Sequence, residues 1–78
     1  MRFYRILASV GAEDRTLFVT RYVEKMEVSE IADAIGRPLS TTKRRLARAT
    51  RRIAARMSSD AALADYVEVL TAKLGAKP

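Results

Sequence analysis

The sequence predicts an all-α fold, a small bundle of four to five helices. Apolar residues recur at helical spacing along most of the chain, and no stretch carries the alternation of a strand. Ala, Leu, Arg and Glu are common and aromatic residues are few, a composition that favours helix. Glycines at 11, 36 and 75 fall between the periodic segments, where chain breaks belong. With 78 residues, one domain is expected. A chain this short buries only about 60% of its unfolded surface, so every apolar stripe must count.

The first helix is expected over residues 2–10, where Phe3, Ile6, Leu7 and Val10 share a face. Gly11 breaks it. Glu13 and Asp14 then suit the positive end of a second helix. Leu17, Phe18 and Tyr22 form its apolar face, widened by Val19 and Val23, and its end is expected near Lys25–Glu27. A short third helix fits Val28 to Ile35, with Val28, Ile31, Ala32 and Ile35 on one side. Glu27 is a weaker N-cap than Ser or Thr, and Gly36 is a good left-handed stop.

Pro38 suits a first helical turn, since no amide donor is missed there. A fourth helix is expected from about Pro38 to Met57. At about 100° per residue its apolar stripe is Leu39, Thr42, Leu46, Ala49, Ile53 and Met57. Arg44, Arg48 and Arg51 lie opposite, with Thr41, Arg45 and Arg52 on one flank. Ser58, Ser59 and Asp60 are expected to cap a fifth helix, Ala61 to Leu74. That helix places Leu63, Tyr66, Val67, Leu70 and Leu74 together and ends at Gly75.

Charge is divided along the chain. From Glu13 to Asp33 there are six acids and three bases; from Ala34 to Ser59 there are eight bases and no acid. The net charge of +6 points to a polyanionic partner. There is no Cys and no His, no glycine-rich phosphate loop and no carboxylate pair in an apolar setting. Neither a disulfide framework nor a Cys zinc site can form, and the commonest general base is missing. The expectation is therefore a non-enzymatic protein without cofactor or metal. No apolar run approaches a membrane span, the Ile6–Val10 run is too short for a signal peptide, and a cytoplasmic location is expected.

The break at Gly36 joins a short helix to a long basic one, the pattern of a helix-turn-helix. Ala32 is small enough for a second helix to cross closely, and Gly36 can take the positive φ of the turn. Ile31, Ile35, Leu39 and Leu46 are expected to close the corner. Such a corner presents the N-terminal half of its second helix to a DNA major groove. That half carries Ser40, Thr41, Lys43, Arg44, Arg45 and Arg48, which can bind base edges or phosphates. Arg51, Arg52 and Arg56 lie further along and are expected to position the duplex. A basic helix face is often only a solvated surface, but eight bases without an acid exceed what solubility requires.

Within Glu13 to Ile53 the residues Arg15, Phe18, Arg21, Tyr22, Glu24, Glu30, Ile31, Ala32, Gly36, Pro38, Thr41, Lys43, Arg45, Leu46, Arg48 and Ala49 share a register with a known pattern. The stretch resembles region four of bacterial sigma factors, most of all the extracytoplasmic-function type. The resemblance implies recognition of the minus-thirty-five promoter element in double-stranded DNA. It also implies docking on the β flap of RNA polymerase through an apolar surface of the early helices, with an anti-sigma protein as a further partner. Lys43, Arg44, Arg45 and Arg48 occupy positions that face DNA in that family, while Arg21 and Tyr22 shape the scaffold. The chain departs from the pattern at Val10-Gly11-Ala12, Glu27, Arg37, Thr42 and Arg44. Arg37 and Thr42 stand at positions that are usually apolar and are expected to loosen the corner.

The implied division is residues 1–57 as a region-four-like domain, with short helix 28–35 and recognition helix 38–57. Residues 58–78 form a C-terminal amphipathic helix and tail, packed on the same domain or used for docking. Seventy-eight residues leave no room for the family's DNA-melting region. The expectation is an excised C-terminal domain or a stand-alone helix-turn-helix regulator. The other class of function is a protein-interaction module that self-associates or binds an anti-sigma through helix 61–74, although a monomer is favoured. A membrane-surface helix fits poorly, since the stripe with Thr42 and Ala49 offers lipid no large aromatic residue.

Overall fold

A computed structural model describes residues 2–73, and every regular element among them is helical. The order is α1 (Arg2–Ser9), α2 (Ala12–Phe18), a π turn (Val19–Val23), α3 (Val28–Ile35), α4 (Leu39–Met57), a 3-10 turn (Ala61–Leu63) and α5 (Ala64–Lys73). Helix α4 is the hub, packing against α1, α2, α3 and α5. Leu74 and Gly75, expected to finish the last helix, lie outside the described residues, as does the side chain of Leu70.

Two apolar clusters hold the fold. The larger joins Leu7, Val10, Phe18, Ile53 and Met57, with Phe3, Ile6, Leu63 and Val67 packed around it. The smaller joins Leu17, Ile31 and Leu46 and lies inside the helix-turn-helix corner, with Met26 and Val28 at its rim. Tyr22 packs against both clusters, and its ring stands 4.9 Å from that of Phe18. Leu63 and Val67 reach back onto the larger cluster, and the Tyr66 ring lies 6.2 Å from Phe3.

Helix α2 does not run on to Lys25–Glu27. The Glu24 amide reaches back five residues to the Val19 carbonyl at 3.0 Å, forming the π turn. Lys25 then takes φ 61°, a left-handed conformation outside any α-helix. The Arg21 guanidinium donates to the Met26 carbonyl at 3.2 Å and stacks 5.8 Å from the Tyr22 ring. The wider turn shifts the helical register, so Val23 is exposed rather than widening the apolar face.

Helix α3 begins and ends as expected. Its start is better secured than Glu27 alone suggests, because the Glu27 amide donates to the Glu30 carboxylate at 2.9 Å. At its end Gly36 has φ 68°, the Gly36 amide donates to Asp33 O, and the Arg37 amide to Ala32 O. This paired closure satisfies carbonyls that the helix itself cannot. Pro38 caps α4 from just outside, accepting the Thr42 amide at 3.0 Å. Ser58 and Ser59 do not cap the next helix. Their hydroxyls donate back to the Ala55 and Arg56 carbonyls and finish α4 instead.

The corner itself differs from expectation in three side chains. Ile31, Ala32 and Leu46 are buried, but Ile35 is 41% exposed and Leu39 42%. Each belongs to the terminal turn of its helix, Ile35 the last of α3 and Leu39 the first of α4, where the packed part of the corner ends. Arg37 is exposed and takes no apolar burial from the corner. Thr42, unlike Arg37, joins the core there, fully buried, with its hydroxyl donating to the Pro38 carbonyl.

Candidate nucleic-acid interface

Burial divides α4 into three strips. The core strip is Thr42, Leu46, Ala49, Thr50, Ile53, Ala54 and Met57. Thr50 is absent from the stripe read off the sequence, yet it is fully buried, its hydroxyl satisfied by donating to Leu46 O at 2.8 Å. Helix propensity and the Pro38 cap carry this long helix away from the corner, so its other faces point outward for several turns.

The outer strip holds Ser40, Lys43, Arg44, Arg48 and Arg51, all exposed. Among the described residues, the four cations of this strip have no ion-pair or hydrogen-bond partner for their side chains. Thr41 is half-buried beside them and lines a cleft with Arg44, Arg45, Arg48, Glu13 and Asp14.

The third strip is a flank facing α1 and α2. Arg45 donates to both Glu13 carboxylate oxygens at 3.1 and 3.0 Å. Arg52 donates to Asp14 Oδ2 at 3.0 Å. Arg56 donates to Ser9 O at 2.6 Å and to Ser9 Oγ at 2.7 Å. These contacts place positive charge at the C-terminal end of α1. The structure thus gathers Ser40, Thr41, Lys43, Arg44, Arg48 and Arg51 into one free surface, and sets Arg45 and Arg52 beside it as paired residues.

Glu13 and Asp14 belong to this surface, although the sequence suggests only helix-dipole partners. The available signal is the spacing of Arg45, Arg52 and Arg56 along one flank. It gains meaning only once α2 is known to lie alongside. Among the described residues no group of three or more acids, Cys or His could hold a metal, and no helix is long and apolar enough to cross a membrane.

Comparison with curated proteins and with solved structures gives no match. Residues 1–53 match the family described as Sigma-70, region 4, which spans α1 through most of α4 and includes the whole corner. The chain therefore belongs to the sigma-70 region 4 family, the promoter-DNA-binding domain of the factors that bring RNA polymerase to transcription initiation.

Proposed function

We propose that the domain recognises the minus-thirty-five promoter element, with the outer strip of α4 in the major groove. One observation carries this reading. Among the described residues, four cations on the outer strip stand without a partner directly after a helix-turn-helix corner, while neighbouring arginines on the same helix are paired. In such corners the N-terminal residues of the second helix meet base edges. Ser40, Thr41, Lys43 and Arg44 fill that part of α4, and Arg48 stands one turn on. Arg44 and Arg48 are assigned to bases, where a bidentate arginine selects guanine. Lys43 and Arg51 are assigned to phosphates. Arg45 and Arg52 lie within reach of the backbone beside them.

Docking on the polymerase β flap is the second part of the reading. Its support is the groove between α2 and the end of α3, where Ala12, Leu17 and Ile35 are flanked by Glu13, Thr16, Arg37 and Arg45. Exposed Ile35 is the apolar group there that the domain's own core leaves unused.

Selection of binding sites from random duplex tests the first part. Wild type should enrich one motif, and Arg44→Ala and Arg48→Ala should each relax it at one or two positions. Identical motifs for all three proteins would reject the assignment. For the second part, the neutral Ile35→Gln should abolish capture of a flap fragment while leaving duplex affinity intact.

A further inference from the structure

We propose that Glu13 and Asp14 set how strongly the DNA face holds any duplex: they cancel Arg45 and Arg52 and leave phosphate attraction to the outer strip. The inference rests on the DNA-binding reading above. It adds that two of the arginines on that face contribute no net charge to binding.

The geometry comes first. Glu13 and Asp14 line the same cleft as Thr41, Arg44 and Arg48, so their carboxylates stand within the face and not behind it. The side chain of Glu13 is 61% exposed and that of Asp14 is 14% exposed. The pairs join residues 32 and 38 positions apart, so they exist only in the folded domain.

Exposed ion pairs are weak, and a phosphate can compete for a guanidinium. That exchange does not restore the lost charge. If Arg45 turns to a phosphate, Glu13 is left bare in the same cleft. At physiological salt a carboxylate is felt over about 8 Å, which includes a duplex seated on this face. Counterion release follows the net charge delivered to the phosphates. Each pair delivers none, whichever partner holds the arginine.

The consequence is an evenly lowered hold on DNA. Phosphate contacts are blind to sequence and dominate non-specific binding. Removing two of them lowers affinity for every duplex, but spares the base contacts assigned to Arg44 and Arg48. Because the lost term is the same for specific and non-specific duplexes, their ratio is unchanged; what falls is the hold on every duplex, and with it the time spent bound at wrong sites. The alternative role for both acids is a structural one at the start of α2, as partners of its dipole. That role affects melting temperature and not the salt dependence of binding.

The test measures affinity of the full chain for its selected duplex and for a scrambled duplex between 50 and 200 mM salt. Glu13→Gln should steepen the log–log salt slope by about 0.9, roughly a threefold larger loss across that range. It should also tighten specific and scrambled duplex by the same factor. Asp14→Asn should do the same. The neutral pair deletion Glu13→Gln with Arg45→Ala should return the slope to the wild-type value. That deletion still decides the matter if Glu13→Gln alone impairs folding, which thermal melts of each variant would show. An unchanged slope for both single variants overturns the proposal, as does a shallower slope for the pair deletion. Wild type lacking any salt-dependent duplex binding would instead refute the DNA reading itself, and the proposal with it.

Discussion

Two rows of arginine run along α4 about 100° apart. Arg44, Arg48 and Arg51 form the outer row, and Arg45, Arg52 and Arg56 the flank row. Residue type, helix and solvent are the same for both. The outer row has no side-chain partner among the described residues, while every member of the flank row has one on α1 or α2. A count of basic residues therefore overstates the charge that this helix can offer to DNA. What decides an arginine's role is the element packed beside it, here two acids and a serine on neighbouring helices.

The largest effect is expected from removing what both rows rest upon. Leu63 and Val67 cover the larger cluster around Ile53 and Met57. Truncation after Ser59 uncovers it, at about half the value of full burial for each side chain, or roughly 2–3 kcal/mol in all. In a domain of this size that lowers the melting temperature by about 10 °C or more. The salt slope of the remaining folded protein should not change, because α5 contributes no cation to the outer row. A melt of the full chain that depends on protein concentration, and loses that dependence on truncation, would place α5 between two copies instead.

Next in size is the contrast between single members of the rows. Arg48→Ala should weaken binding to the selected duplex by ~1–3 kcal/mol and leave the melting temperature unchanged. Arg56→Ala should act chiefly on stability. It loses a charged hydrogen bond to the end of α1 that solvent partly screens, so about 1 kcal/mol of stability is expected to go. Duplex affinity would fall modestly and equally for all sequences. Equal melting temperatures for the two variants would erase the distinction between the rows.

The parts of the molecule legible in the sequence are those fixed by neighbours along the chain. Helix α3 has the expected ends because Gly36 takes the left-handed turn and the apolar spacing of Ile31 and Ala32 is local. The core strip of α4 is likewise a matter of helical period. What was illegible depends on distant partners or on a non-standard turn. The π turn at Val19–Val23 changes the register of Val23, and no residue in VTRYV announces it. Ile35 and Leu39 have the spacing of core residues but sit at helix ends where packing runs out. The Arg45 and Arg52 pairs span 32 and 38 residues, so basic composition showed the charge without showing its cancellation.

A smaller effect separates charge as such from charge in place. Lys25 is an exposed cation far in sequence from α4, held at φ 61° without the freedom of glycine. Lys25→Gly removes the left-handed penalty of roughly 1 kcal/mol but adds unfolded-chain entropy, for a net gain of about 0.5 kcal/mol. It also removes one positive charge. If binding responds to the outer row and not to overall charge, the duplex salt slope should stay at its wild-type value. A slope reduced as much as by Arg51→Ala would show that net charge, not placement, governs the affinity.

The smallest effect tests whether the corner sets the outer row in place. Thr42 is fully buried, and its amide and hydroxyl both donate to the Pro38 carbonyl at 3.0 Å. Thr42→Val deletes the hydroxyl and puts a methyl in its position. A net hydrogen bond worth ~1 kcal/mol is lost. The carbonyl keeps its amide donor, so nothing is left buried and unsatisfied, and the added methyl contributes about 0.8 kcal/mol. The two terms nearly cancel, and the stability read from urea unfolding should move by about a few tenths of a kcal/mol at most, towards greater stability if the methyl fits. The selected DNA motif should be unchanged, because the retained amide bond still fixes the first turn of α4. A motif shifted at the positions read by Arg44, with stability constant, would mean that the hydroxyl orients that turn. The outer row would then owe its aim to a buried threonine as well as to its own freedom from partners.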